Sequence, residues 1–595
     1  MLPTFHWSDY LVFGISLICY SLIGIYHRYH DVIFGKLTNC FRGINFQPKV
    51  RKKMNVEELF LGDRNLTLLP IVGSVMASFL SAVGILGTAS EAYQCGIQFI
   101  TLVGGYCIAF PLAAYVYMPV FYKLRLNSAH EYLEMRFGKL VRWTASLVFL
   151  LQMGGIRAVV WVDLFQLIVL ISGFCLITLL ITLKVGGFQR LWGIVIDGQR
   201  VQSFDFSIDP FKRHTLWTLI IGGTGLVLSI FGANQTQIQR YMACRDLKTA
   251  RRAILLNIPL TSVFLAVQLF TGLAIYAYFA GCDPVLNGSI KRYDQILPYI
   301  VMILFDGVLL VRGIFLSVIF AAALSTVSSG VNSLANVCLE DLIRPLYIHW
   351  RHVDISERSK YRLAIFLGIL FGTLTVSLAF IFTLSSSHIL QISFSLFGAI
   401  GGPVLTVFTA GIFFPCINAE GGLCALISGV ICGLWICIGN TFITSRTDND
   451  RLPLTIENCS SKILQNISSS IVTGTTNTSI TTVNIIKTTT WSFYSLSYLY
   501  YATACLIVGI PVGFIISGIT GFNSRSQVNP RLLAWQARSF YRHFPNWLPP
   551  QTANDQEFNP ISSTYIEKTE ILDMKLPRLQ VINNNNNNNN SINRK

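Results

Sequence analysis

The chain has 595 residues, 52% of them hydrophobic and only 12% charged, which excludes a soluble domain surface for most of its length and places it among polytopic membrane proteins. Its 45 Lys and Arg against 29 Asp and Glu give a formal net charge of +16. The basic residues sit in short loops between apolar runs, where the positive-inside rule accounts for them without nucleic acid. Fourteen cysteines lie mostly inside apolar segments, behave there as small hydrophobes, and form no CxxC pair with zinc spacing.

About eleven runs are long enough to cross a bilayer, at roughly 20 residues each. In chain order they centre on Tyr10–Tyr26, Leu66–Tyr93, Gln98–Tyr122, Ala158–Leu183, Leu216–Asn234, Ala253–Phe279, Leu309–Val337, Leu363–Thr383, Leu390–Pro415, Gly422–Gly439 and Tyr494–Ile519. No basic region precedes the first run and no small-residue cleavage motif follows it, so it reads as a retained span. Basic loops at Arg51 to Lys53, Lys123 to Arg142, Arg240 to Arg252, Arg344 to Arg362 and the tail from Arg525 fall on one face if the N-terminus is outside and the C-terminus cytoplasmic. The sequons at Asn287, Asn458, Asn466 and Asn477 then all lie outside, so two unrelated signals agree on topology. Sequons at Asn65 and Asn234 fall inside or within the membrane and are expected to stay unused.

The domain division that follows is 1–28 for an outer N-terminus and first span, 29–65 for a cytoplasmic basic loop, and 66–440 for the membrane-spanning core. Residues 441–491 form an extracellular Ser/Thr-rich glycosylated loop, 492–521 the last span, and 522–595 a disordered cytoplasmic tail with a poly-Asn run from Asn583 to Asn590. Cys282 and Cys459 both fall outside and are a candidate disulfide.

Two segments carry chemistry. The second span, ASFLSAVGILGTASEAYQCG, has Gly84 and Gly87 in its middle, with Ser81, Thr88 and Ser90 around them. Such an interruption frees backbone carbonyls, which hydrocarbon tolerates where they line a cavity or coordinate an ion; close helix packing is the alternative. The seventh, AAALSTVSSGVNSLANV from Ala321 to Val337, carries Ser325, Thr326, Ser328, Ser329, Asn332 and Ser333. Hydroxyls at membrane depth need partners, either a tightly packed helix or water, ion or substrate. Together the two segments offer hard oxygen ligands, which suit Na+ rather than a soft metal.

These blocks, with GGIRAVVWVDLFQ, NQTQIQRYMACRDLKTAR, DQILPYIVM and HEYLEMRFG, resemble the sodium/solute symporter family, in its branch of sodium-coupled monocarboxylate and multivitamin transporters, over roughly Asp9 to Gly521. The resemblance implies an all-α LeuT-like fold of two inverted five-helix repeats and Na+ symport. It places a sodium site on the backbone carbonyls of Ser81, Gly84 and Ala322 and the hydroxyls of Ser325 and Thr326. Asp163 falls on the sodium exit path, with a structural ion pair, for instance to Arg157, as the alternative. Phe231 and Gln235 become candidates for the substrate pocket or inner gate, and Glu91 for an outer vestibule, where solvation alone would also explain it. Arg312, near the outer end of its span, reads as a surface residue.

One departure from the family is large. RWTASLVFLLQM ends at Met153 and passes directly into GGIRAVVW, where the family has about 45 further residues, the second half of one core helix and all of the next. Trp143 to Met153 is only about 16 Å long as a helix and cannot cross alone. Losing this crossing and its partner removes two passes and keeps the orientation of everything downstream.

The expected function is Na+-coupled import of a small organic anion, a monocarboxylate or a carboxylated vitamin such as biotin or pantothenate, at the plasma membrane. The partners are that substrate, Na+ and the lipid bilayer. Coupling is needed because an inside-negative potential opposes an anion by roughly 2.3 kcal/mol per charge per 100 mV. The alternative is a non-transporting truncated isoform that acts as an inactive or regulatory membrane subunit. No HExxH, GxSxG or clustered catalytic set lies at a plausible depth, so an enzyme is not expected.

Overall fold

The computed structural model describes residues 6–18, 66–79, 82–124, 126, 128–150, 159–201, 204–306, 308, 310–382, 389–443, 452–457, 459, 493–523 and 528–543. The helices are α1 (Trp7–Ile18), α2 (Leu68–Phe79), α3 (Ala82–Cys95), α4 (Ile97–Leu124), α5 (Ala129–Phe137), α6 (Lys139–Leu150), α7 (Val159–Val185), α8 (Phe188–Asp197), α9 (Thr218–Phe231) and α10 (Gln235–Met242). They continue as α11 (Leu247–Tyr278), α12 (Ile296–Leu304), α13 (Val311–Val337), α14 (Arg344–Arg351), α15 (Glu357–Phe382), α16 (Ile389–Phe413), α17 (Ala419–Ile443), α18 (Tyr501–Thr520) and α19 (Trp535–His543).

Among the described residues, six helices are long and apolar enough to cross a membrane, or eight if each of two bent pairs counts as one span. The bends are 85° between α7 and α8 and 58° between α9 and α10. Helix α13 has 27 residues, about 40 Å at 1.5 Å per residue, so it too exceeds the hydrocarbon thickness. Prolines stand inside α4, α11, α16 and α18. In α4 the ladder lost at Pro111 is followed by a π-helical turn at Ala113–Tyr117, a local adjustment that restores backbone pairing.

The core forms where these helices meet. Helices α16, α17 and α18 pack on one another, α9 packs on α4 and α16, and α11 lies against α2, α3 and α7. Gly272 permits the approach of α11 to α3, because a Cβ there would run into the Ala89 carbonyl and the Ala92 side chain of α3. Helix α13 packs on α7 and α15 and touches α2, α3 and α10. At its first turn, Asp9 of α1 accepts from the Gly313 amide at 3.1 Å, a carboxylate at a helix N-terminus.

Part of the loop expected at 441–491 is tied down: the Leu452 amide donates to the Gln94 carbonyl and the Asp283 amide to that of Thr455. Arg200, fully buried, donates to the carbonyls of Tyr93, Gly198 and Pro453 and lies 4.0 Å over the Tyr276 ring. Cys282 and Cys459 are joined in a disulfide across 177 residues, with Cα atoms 4.9 Å apart. Removing it as Cys282→Ser should cost about 2–5 kcal/mol. The check is thermal melting of the purified chain with and without reductant: wild type should lose stability on reduction and the variant should not.

Candidate functional site

The second span does not break at its glycines. Helix α2 ends at Phe79 and α3 begins at Ala82, so Gly84 and Gly87 lie within regular helix. This corrects the expected position of the interruption. Gly87 lies close against Leu390, where a Cβ would need that side chain to shift, so close packing is its role. The Gly84 carbonyl accepts from the Gln268 amide of α11 at 3.4 Å. Ser81 and Arg157 lie outside the described residues, and so do the sequons at Asn458, Asn466 and Asn477. For Ser325, Thr326 and Asp163 the helical backbone is described: the first two lie on α13 one turn beyond the buried Ala322, and the third lies on α7.

The hydroxyl-rich helix does meet a broken one. Helix α9 stops at Phe231, and Asn234 caps α10, its side chain accepting from the Thr236 amide at 2.8 Å. The signal for this break, a Gly at 232 two residues before an N-capping Asn, is local and was available in the sequence. All eight residues of α10 are buried although five of them, Gln235, Thr236, Gln237, Gln239 and Arg240, are polar. On the facing helix Ser333 donates to Gln239 at 2.9 Å, so the hydroxyl stripe is partnered there by α10. Phe231 packs on Phe110 with centroids 4.7 Å apart. Gln235 accepts from the Ala129 amide at 2.6 Å, joining α10 to the start of α5, and its Nε2 has no acceptor among the described residues.

At the opposite end of α3, Glu91 is buried instead of facing a vestibule. Arg213, from the loop that leads into α9, donates to both carboxylate oxygens at 2.9 and 3.0 Å and to Gln391 of α16 at 2.6 Å. His214 lies 3.6 Å from the same carboxylate and 2.9 Å from the Tyr498 hydroxyl. A fork of this kind holds a buried carboxylate far better than a lysine would. Arg312 is likewise buried rather than at the surface, bonded to the Met302 carbonyl at 2.7 Å and to Asp306 at 2.5 Å. Asn287 lies beside the disulfide, partly buried, and its side chain accepts from the Ser289 amide at 2.9 Å.

A second polar centre lies where α13 ends in the π-helical turn Cys338–Ile343. Asp341 is fully buried and accepts from Ser128 at 2.8 Å, Ser146 at 3.0 Å, His130 at 3.2 Å and the Arg142 guanidinium, binding the end of α13 to α5 and α6. Burial by itself pushes this carboxyl up, but the Arg142 guanidinium and the His130 imidazole outweigh it and hold the group below its ordinary value. A depressed carboxyl contributes stability above its unfolded value and loses it as pH falls through the folded one. The stability gap between wild type and Asp341→Asn should therefore be constant at neutral pH, about 3–5 kcal/mol for a broken buried pair, and should shrink below about pH 4. Thermal melting across pH checks this; a gap that widens with acid contradicts it.

The family profile of the sodium:solute symporters matches residues 59–153 and 149–429. The chain belongs to that family. It is a multi-pass membrane transporter, not an enzyme, and Na+ is the ion its family co-transports. Among curated proteins it is 31% identical to sodium-coupled monocarboxylate transporter 1 of Xenopus laevis, over 94% of this chain and 97% of that one. It is 33% identical to the sodium-dependent multivitamin transporter of Oryctolagus cuniculus, over 89% and 85%, and 32% identical to the sodium/iodide cotransporter of Homo sapiens, over 90% and 86%. Among solved structures, a Na+-coupled sialic acid symporter in a substrate-bound outward-open state aligns with a TM-score of 0.63 and 21% identity, covering 87% of this chain and 98% of that one. That likeness shows the fold, the LeuT-like helical architecture of these transporters.

Proposed function

We propose that the symporter imports small organic anions, monocarboxylates or carboxylated vitamins such as biotin and pantothenate, with Na+ across the plasma membrane by alternating access. The observation that carries this reading is the family itself: the relatives at 31–33% identity are named for monocarboxylates, vitamins and iodide. In the cycle, Na+ binds the carbonyls of Ser81, Gly84 and Ala322 and the hydroxyls of Ser325 and Thr326, with Gln268 releasing the Gly84 carbonyl as the ion arrives. Asp163 receives the ion on its way inward. Glu91, paired with Arg213 and Gln391, closes the outer side, since that cluster ties α3 and α16 to the loop before α9. Phe231 and Gln235 belong to the inner gate, supported by the Gln235 bond to the start of α5.

The experiment is competition: uptake of labelled pyruvate, butyrate, biotin and pantothenate by cells expressing the chain, each challenged with the other three and with iodide. Saturable uptake of one carboxylate that the others reduce supports the reading. Inhibition by iodide alone would move the substrate out of the organic anions.

A second reading is favoured by the junction at Met153. The two profile matches meet there, at 149–153, and the alignment to the Xenopus laevis protein runs over 628 positions, longer than the chain. Helix α6 has 12 residues, about 18 Å, less than a crossing. In this reading the chain is a truncated isoform that reaches the membrane without transporting. A version with the two helices restored separates the readings: transport only after restoration favours the second.

A further inference from the structure

A cavity of about 660 Å³ lies between the ends of α16 and α18 and the short helix α19. Phe413, Phe414, Phe514 and Phe522 line it from the spanning helices, and Ala537 and Phe540 from α19. Helix α19, WQARSFYRH, is amphipathic, and it is fixed in place: the Ala534 amide donates to the Ile412 carbonyl at 3.1 Å, and the Tyr132 hydroxyl to the Leu532 carbonyl at 3.0 Å. It therefore lies where two spans leave the bilayer, with Trp535 and Phe540 exposed, the placement of an interfacial helix.

Charge identifies what belongs in the cavity. Between Phe493 and Asn554 the sequence has four arginines, Arg525, Arg531, Arg538 and Arg542, and no Asp or Glu. Three buried polar atoms have no partner among the described residues: Gln536 Oε1 in the lining of the cavity, Arg538 Nε next in sequence to the lining residue Ala537, and Arg136 Nη1. Arg136 is itself buried, 7% exposed, and forms no ion pair among the described residues. Its other nitrogens bond the carbonyls of Gly411, Phe414, Pro415 and Ile417, in the turn whose Phe414 and Cys416 wall the cavity. An aromatic slot beside guanidinium groups that form no ion pair among the described residues is complementary to a ligand with an acyl chain and an anionic head.

We propose that this cavity is a binding site for an anionic phospholipid, one acyl chain filling the aromatic slot and the phosphate pairing with Arg531 and Arg538. On the orientation that loop charge predicts, this is the cytoplasmic leaflet, where anionic lipid is concentrated. The site is separate from the ion and substrate path and stands whatever the transported solute is.

The test uses the purified full-length chain, reconstituted in phosphatidylcholine with one fifth phosphatidylserine, re-extracted in mild detergent and examined by native mass spectrometry. Wild type should retain phosphatidylserine above its share of the bilayer. Arg531→Gln with Arg538→Gln should lower that preference by roughly fivefold per arginine, and Ala537→Trp, which fills the slot, should abolish retention of either lipid. Soluble glycerophosphoserine, a head without chains, should not displace the bound lipid. Retention of the two lipids in the bilayer's own ratio overturns the proposal. So does retention that appears only after removal of residues 544–595, which would mean the chain's own tail fills the slot. A thermal melt accompanies each variant; if Ala537→Trp fails to fold, the arginine pair, on the rim of the slot, decides the matter.

Discussion

Neutralising one member of the outer pair, as Glu91→Gln or Arg213→Gln, is expected to cost about 3–5 kcal/mol of stability and to abolish transport, whereas the double substitution recovers part of the stability and none of the transport. The asymmetry follows from burial. Glu91 and Arg213 side chains are 5% and 19% exposed, and each single change leaves the other charge in a dry site without its counterion. Removing both leaves only smaller hydrogen-bonding debts. Transport should stay lost if the pair is the proposed outer latch, because Arg213 also holds Gln391 of α16. Thermal melting and uptake of surface-labelled variants measure the two effects separately. A double variant less stable than either single would show that the pair is not the unit of stability, and normal uptake by either single would remove it from the gate.

The second large effect concerns Ser325 and Thr326, the hydroxyls proposed to hold Na+. Ser325→Ala and Thr326→Ala should each raise the Na+ concentration for half-maximal uptake by roughly tenfold, taking each oxygen as equivalent to a hydrogen bond to a charged group, and the pair should remove Na+ dependence altogether. The conservative changes Ser325→Thr and Thr326→Ser keep an oxygen and should stay within a few fold of wild type. Equal loss in Ala and conservative variants would mean that α13 needs these side chains for packing, not for the ion.

How much of this was legible in the sequence depended on range. Hydropathy, loop charge and the hydroxyls of α13 are local patterns, and they led to the class and to the helix that faces α10, while the symport family came from the resemblance of separate sequence blocks. The break between α9 and α10 also had a local signal in Gly232 and Asn234. The break in the second span was expected at its glycines because glycine permits an interruption without requiring one; Gly87 serves helix contact, with Leu390 against it. Glu91 was misread for a different reason. Its partner Arg213 is 122 residues away, in a loop that looks solvated, and only the fold brings them together. The same holds for Asp341, whose partners Ser128, His130, Arg142 and Ser146 stand about 200 residues earlier. Polar residues at span ends carry no periodicity, so their burial is decided by tertiary packing.

The central claim, that this chain itself couples solute movement to Na+, is tested most directly in proteoliposomes that contain only the purified protein. An inward Na+ gradient should drive labelled pyruvate, butyrate, biotin or pantothenate above its equilibrium level, and an equal choline gradient, or Ser325→Ala with Thr326→Ala, should not. Accumulation that ignores Na+, or none of any candidate by a folded protein whose helix-restored version accumulates one under the same gradient, would contradict it.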